Sequence, residues 1–372
     1  MKVPLVDLRA GLKPIKDELF AEFDHVLSRM ELFLGRNVTM FEREFADFCQ
    51  VEHGIGVSSG TDALSVALRA LEIGPGDEVI VPSHTFFATI EAIVHTGATP
   101  VMVDIEPATM TVDPDRIAAA VSGLTRAILA VHLYGHPADM DPILAIARDR
   151  GLRVIEDCAQ AHGARYKGRR CGSIGDAAAF SFYFTKNLGA YGEGGFVTTK
   201  NPEVAERIRL YRNHGHVSKF EHARIGFNLR LDELQAAVLR LKLRHLDENN
   251  RRRLAIARRY DALFADTPIR TLTPQPDCEP VYHLYPLLAD DRDALNTYLQ
   301  DEGIGTGIHY KIPGHRQPAL QGHPHRCDDC PVTEDVCRSL VSIPMYPELT
   351  DAQVEFVADR VKTFMRKKGN NQ

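Results

Sequence analysis

Between residues 55 and 200 the chain alternates short apolar, β-rich runs with longer segments in which apolar residues recur at three and four. The runs fall at 78–81, 99–103, 127–131, 152–155, 178–182 and 195–199, and helix-length segments such as 61–71, 85–95 and 139–150 lie between them. That alternation predicts an α/β fold whose mixed, mostly parallel sheet is flanked by helices on both faces. In such sheets a ligand sits at the carboxyl ends of the strands.

The pattern changes near Leu229. Leu231, Leu234, Val238 and Leu241 keep helical spacing and the charge-rich HLDENNRRRLAIARRY follows, which reads as one long connecting helix. Beyond Pro268 the chain offers a strand at 281–288, a helix at 292–302, a loop-like stretch at 307–330 and a final helix at 351–366. This predicts a smaller α+β C-terminal domain. Residues 1–245, with the N-terminal helices, form the expected large domain and residues 246–372 the small one; a chain of 372 residues has length for two or three such units.

Composition narrows the function classes. Hydrophobic residues at 44% and charged residues at 25% are ordinary globular values and exclude a disordered or fibrous chain. The net charge of -6 gives no global attraction to nucleic acid or to an anionic membrane, so any phosphate has to be met locally. No stretch reaches a membrane span, and MKVPLVDLRAGLKPIKDE meets charge and proline before an apolar signal core could form. The seven cysteines, an odd number, fit reduced thiols in a cytoplasmic compartment.

Three segments carry candidate chemistry. In GVSSGTDALSVALRAL, Ser58, Ser59, Gly60 and Thr61 precede the helical face of Leu64, Ala67, Leu68 and Leu71. Free N–H groups at a helix start bind phosphate, and glycine lets the anion approach; alone, the stretch reads more readily as a plain Ser/Thr cap. VIEDCAQAHG ends a strand on two acids whose side chains point to opposite faces. Asp157, nearer the strand end, is the site candidate and Glu156 the structural one, although a capping role for either is open. In SFYFTKNLGAYGEGG, Lys186 follows an aromatic strand and precedes glycines at 189, 192, 194 and 195. A single lysine is usually a solvated surface charge, but a desolvated one can serve as a Schiff-base amine. An anion cradle, a carboxylate and a reactive lysine together are the parts of a pyridoxal phosphate site, in which the carboxylate keeps the ring nitrogen protonated. Phe86 and Phe87 are both available to cover the ring face.

SSGTDAL, PSHTFFAT, VIEDCAQAHGA, SFYFTKNLGAYGEGG, GFNLRLDELQAA and IHYKIPGHRQPA, in that order, resemble successive landmarks of the DegT/DnrJ/EryC1/StrS family of fold-type I, pyridoxal phosphate-dependent sugar aminotransferases. The resemblance implies that Lys186 bonds the cofactor, Asp157 contacts its ring nitrogen, Gln160 lies near its ring hydroxyl and Phe86 stacks on the ring. It implies that Gly60, Thr61 and Ser181 hold the phosphate. It also implies a homodimer with shared active sites, in which Asn228 reaches the neighbouring subunit's phosphate, and L-glutamate as amino donor.

Within the family, dehydratases carry histidine where this chain has Lys186, so the resemblance favours transamination over dehydration or a non-catalytic binding role. KNLGAYG resembles the branch that aminates C3 of nucleotide-linked 3-keto sugars, which implies a dTDP-linked 3-keto-6-deoxyhexose. Phe184, where proline is common, and Glu193, where aspartate is usual, keep a UDP-linked or C4 substrate open. Lys219, within 215–226, and His309, Tyr310 and His315 are the expected sugar-nucleotide contacts, although exposed loop charge accounts for such residues equally. The cluster His323, His325, Cys327, Cys330 and Cys337 has zinc-ligand types but no second CxxC and no familiar spacing, so no metal is expected.

Overall fold

The structure, a computed structural model, describes residues 1–369. The apolar runs become the strands Glu78–Pro82, Thr99–Val103, Thr125–Val131, Arg153–Asp157, Ala177–Ser181 and Gly195–Thr199. Glu78–Pro82 is buried at every position, which is why it reads as a continuous apolar run rather than an alternation. With His53–Val57 and Arg326–Cys327 these strands form one eight-stranded sheet. Its order is His53–Val57, Gly195–Thr199, Ala177–Ser181, Arg153–Asp157, Thr125–Val131, Glu78–Pro82, Thr99–Val103, Arg326–Cys327. Gly195–Thr199 runs antiparallel to both neighbours and the other pairs are parallel.

Helices Gly60–Ala70 and Phe87–Thr96 bury Leu64, Ala67, Leu68, Ile90 and Ile93 against one face of the sheet. On the opposite side Met140–Arg150 and Pro114–Ala120 bury Ile143, Ala147 and Ile117 with Ile80, Ile128 and Val154. Each such leucine or isoleucine side chain removed from water contributes about 1.5–3 kcal/mol before its entropy cost, and each alanine less. A third cluster joins Phe41 and Phe45 of helix Arg36–Cys49 to Phe180, Phe182 and Phe196. It supports, from below, the turn that carries Lys186.

Three expectations are corrected and one unread strand is added. The single connecting helix is two, Glu233–Leu243 and Leu246–Phe264, with a short turn at Arg244 and His245. Neither glycine nor proline marks that break. It arises because Ala236, Leu239 and Leu246 pack against Phe41 and Phe45, while Ile256, Ala257, Tyr260 and Phe264 turn into the C-terminal core. The strand expected at 281–288 is confined to Tyr285–Leu288, since the N–H groups of Val281 and His283 donate instead to the carbonyls of Gly135 and Tyr134, at 3.0 and 2.8 Å. The stretch 307–330 is not all loop: Arg326–Cys327 joins the large sheet, anchored where Arg326 meets Glu78 at 2.9 Å and the Ala120 carbonyl at 2.7 Å. His53–Val57 went unread because two glycines interrupt its apolar pattern.

The C-terminal layer is an antiparallel sheet of Arg270–Thr271, Tyr285–Leu288 and Leu340–Ile343, covered by Leu246–Phe264, Arg292–Asp301 and Asp351–Gly369. Val3 from the N-terminus completes its core, bridging to Ile304. No helix among the described residues is long and apolar enough to cross a membrane.

Candidate active site

A cavity of about 630 Å³ opens at the carboxyl ends of the central strands. That is a usual size for a cofactor or small-ligand site. Gly60, Thr61, Phe86, Asp157, Gln160, Ser181, Lys186, His309 and Tyr310 all line it. Lys219, Asn228 and His315 do not. Lys219 and Asn228 are exposed, in and beside the hairpin of His216–Ser218 and Glu221–His222, and His315 is turned toward Ser83 and Glu334. A second pocket, of about 210 Å³ near Arg153 and Arg207, contains none of the predicted residues.

The helix Gly60–Ala70 starts at the cavity wall. Ser59 caps it by accepting the Asp62 N–H at 3.1 Å, and the hydroxyls of Ser58 and Ser59 each donate to Asp62 at 2.7 Å. The two serines are therefore engaged as cap and brace, leaving the first-turn N–H groups of Gly60 and Thr61 without an intrahelical partner. A Cβ on Gly60 would lie 2.6 Å from the Ser181 Cβ, and one on Gly195 would lie 2.0 Å from the Ser59 carbonyl oxygen. The absent side chains keep this turn against the strand ends, with the positive end of the helix facing an anion-sized space.

Strand alternation separates the two acids of VIED. Glu156 faces away, where its carboxylate accepts from His132 at 3.0 Å and from the backbone N–H groups of Gly172, Ile174 and Gly175 at 2.7 to 2.8 Å. Burial alone would raise this carboxyl, but the hydrogen bonds from His132, Gly172 and Gly175 outweigh it and hold it below the usual range. Asp157 faces the cavity, accepting from the Ala159 N–H at 3.0 Å and from the Thr89 hydroxyl at 2.8 Å. Thr85 lies 2.8 Å from that hydroxyl. Because Thr89 spends its proton on Asp157, Thr85 is the donor to Thr89. Burial raises the Asp157 carboxyl despite these donors and the nearby Lys186 charge.

Lys186 sits in the turn between Ala177–Ser181 and Gly195–Thr199, with its N–H on the Tyr183 carbonyl at 2.8 Å. Among the described residues its Nζ makes no hydrogen bond or ion pair. Burial pulls its pKa down to about 8, opposed by the Asp157 charge. Burial thus moves both charged groups toward neutrality, which an aldehyde-bonding amine requires.

The far wall is built on a hydrogen-bond chain that no sequence motif announced. Cys337 Sγ lies 3.5 Å from His84 Nδ1, His84 Nε2 lies 2.6 Å from the Tyr134 hydroxyl, and Tyr134 donates to the His309 carbonyl. His84 is buried and its pKa is lowered by that burial to about 4, so it is neutral. The neutral ring can then donate only at Nε2 and accept from the thiol at Nδ1. Gln160 closes the wall by accepting the Tyr134 N–H at 2.6 Å and donating to the Tyr310 hydroxyl at 3.0 Å. Phe86, 55% exposed, lies 5.5 Å from the Tyr310 ring across the cavity mouth, whereas Phe87 packs into the core. The structure thereby separates two phenylalanines that the residue pattern left equivalent, and places at the cavity Phe86, the one the resemblance implied. Sequence reasoning also missed Thr89, His283 and Thr185, which line the same cavity from separate elements.

An anion cradle, a buried carboxylate with room beside it and an amine of lowered pKa, all on one cavity, fit a phosphorylated aromatic aldehyde. Comparisons with known proteins agree. The chain is 47% identical over 362 residues to a dTDP-3-amino-3,4,6-trideoxy-alpha-D-glucose transaminase of Streptomyces venezuelae, covering 97% of this chain and 96% of that protein. It is 44% identical over 362 residues to a UDP-N-acetyl-3-dehydro-alpha-D-glucosamine 3-aminotransferase of Acidithiobacillus ferrooxidans, covering 97% of each. The solved structure of S. venezuelae DesV in complex with a ketimine intermediate superposes with a TM-score of 0.95 at 46% identity, covering 98% of each chain. The profile of the DegT/DnrJ/EryC1/StrS aminotransferase family matches residues 13–362, and the chain belongs to that pyridoxal phosphate-dependent family.

Proposed function

We propose that the protein transfers the amino group of L-glutamate to C3 of a dTDP-linked 3-keto-6-deoxyhexose. The observation that carries the transaminase reading is the half-buried Lys186, whose amine is unpaired among the described residues and faces the same cavity as Asp157. A histidine there would leave dehydration as the reading; a lysine can also carry protons. The 47% identity to a transaminase of a dTDP-3-amino sugar supports the C3 position and the dTDP carrier. A UDP-linked 3-keto sugar is the second reading, favoured by the 44% identical relative.

In this reading the first-turn N–H groups of Gly60 and Thr61, with Ser181, hold the cofactor phosphate, and Asp157 holds the proton on the ring nitrogen. Gln160 lies beside the ring hydroxyl and Phe86 over the ring face. Bound pyridoxal phosphate supplies an electron sink for the bond broken at the amino-bearing carbon. Lys186 Nζ, once displaced by the donor's amine, takes the proton from that carbon and later returns one to C3 of the sugar. His309 and Tyr310 face the sugar. Lys219 and Asn228, which lie outside this chain's own cavity, serve the site of a second copy in a homodimer, Asn228 at its phosphate.

The lowered Lys186 pKa sets a pH course. Only the neutral amine attacks an aldehyde, and its fraction falls about tenfold for each pH unit below the pKa. Stripped protein should take up pyridoxal phosphate at a rate that climbs with pH to about 8 and then levels. A rate still climbing well above that pH would place Lys186 at its ordinary value.

Incubation with L-glutamate and the dTDP-linked 3-keto sugar should release 2-oxoglutarate and a 3-amino sugar nucleotide in equal amounts, read by mass and by NMR of the aminated carbon. Turnover of the UDP-linked sugar alone would move the assignment to the second reading.

A further inference from the structure

We propose that Cys327, Cys330 and His315 form a binding site for a zinc-class divalent cation, at the edge of the large sheet and outside the cofactor cavity. The three come from separate places. Cys327 ends the edge strand Arg326–Cys327, Cys330 caps the helix Pro331–Ser339, and His315 lies in the short turn Gly314–Arg316.

The spacing is that of a tetrahedral site. Cys327 Sγ and Cys330 Sγ lie 3.7 Å apart. Two thiolates bonded at about 2.3 Å to one tetrahedral ion would stand about 3.8 Å apart, whereas a disulfide needs about 2.05 Å. A His315 ring nitrogen lies within 4.8 Å of both sulfurs, so closing the site asks for a movement of no more than about 1 Å.

The imidazole is held in place from behind. Nδ1 sits 2.7 Å from the Ser83 hydroxyl oxygen, which also accepts the His315 N–H at 3.3 Å. In the metal-free protein Nε2 donates to the Glu334 carboxylate; on uptake the neutral ring carries its proton at Nδ1, where Ser83 accepts it, and the Nε2 lone pair is freed, the arrangement by which a partner behind a ligating histidine fixes its tautomer. Glu334 Oε1, 3.2 Å from Nε2, is at hand for the fourth position, although it is also shared with Arg316 at 2.7 Å.

Cys327 is exposed and gives the ion an entry, while Cys330 and the His315 ring are largely buried. Both thiols now donate to the Asp328 carbonyl, at 2.9 and 3.3 Å. Uptake replaces those contacts: one divalent cation and two thiols give one dithiolate complex and two released protons. Of the cysteine and histidine cluster in the sequence only Cys327 and Cys330 take part. Cys337 is committed to His84, and His325 Nδ1 is paired with the His323 carbonyl. The remaining ligand, His315, comes from the stretch first read as a sugar-nucleotide contact. The ion would fasten the segment carrying His309 and Tyr310 to the edge of the large sheet.

The test uses the reduced, chelator-treated, cofactor-loaded full chain, titrated with cobalt(II). One equivalent should bind with the near-ultraviolet thiolate-to-cobalt band and the visible bands of a tetrahedral site, and zinc should displace it and raise the Tm. Cys327→Ser, at an exposed position, and His315→Gln should each weaken binding by about 100-fold or more, and Ser83→Ala by about tenfold. Pyridoxal phosphate absorbance reports that each variant is folded. Cobalt bound without a thiolate band, or bound equally by Cys327→Ser, would overturn the site. So would a mass 2 Da lower, from a Cys327–Cys330 disulfide that forms as fast with zinc as without it.

Discussion

Replacing Lys186 by alanine is expected to lower transamination by about 10⁴-fold or more while leaving the fold intact. In the proposed mechanism one side chain supplies the nucleophile, the base and the acid, and general acid–base catalysis alone accounts for about 10²–10⁴-fold. The fold should persist because the Nζ makes no hydrogen bond or ion pair among the described residues, and burial penalises its charge. Removing it relieves that desolvation below pH 8, so the Tm should hold or rise. Initial rates with the keto sugar, together with a thermal melt, check both halves. A variant within tenfold of the parent rate would contradict the role given to Lys186.

Asp157→Asn should lower the rate by about 10²–10³-fold, comparable to removing one preorganised charge or dipole from a water-excluded site. Asparagine keeps the shape; its one amide oxygen can still accept from the Ala159 N–H, and its NH2 can donate to the Thr89 hydroxyl where the carboxylate accepted, so the loss reports chiefly the negative charge. The same charge supports the Lys186 ammonium. Its removal should therefore also shift the pH course of cofactor uptake below about 8, an effect that mere disturbance of packing would not produce. An unchanged midpoint with a full rate would separate Asp157 from the site.

Much of this architecture was legible because the central strands and the cavity motifs are local in sequence. Continuous apolar runs such as EVIVP mark strands buried on both faces, and strand alternation alone separated Glu156 from Asp157. Seven of the nine cavity residues named from motifs lie within about five positions of strand ends or helix starts, where the topology already directs a ligand, while His309 and Tyr310 come from an irregular stretch. What escaped depends on contacts between distant segments. Thr89 reaches Asp157 across 68 positions, and the Cys337–His84–Tyr134 chain draws on three separate elements. The edge strand Arg326–Cys327 carries no apolar pattern and is held by an ion pair to Glu78. The turn between the two helices after Glu233 has no breaking residue and is set by which core each helix reaches. His315 was read from its neighbours in the motif, but its side chain answers to Ser83 and Glu334.

The most direct test is the reverse half-reaction in a single turnover. The pyridoxal form is mixed with C3-amino and C4-amino sugar nucleotides on dTDP and UDP carriers, and conversion to the pyridoxamine form is followed by absorbance. The account predicts full conversion by the dTDP-linked 3-amino-6-deoxyhexose and none in the Lys186→Ala variant. Conversion by C4-amino compounds alone, or by no sugar nucleotide, would contradict it.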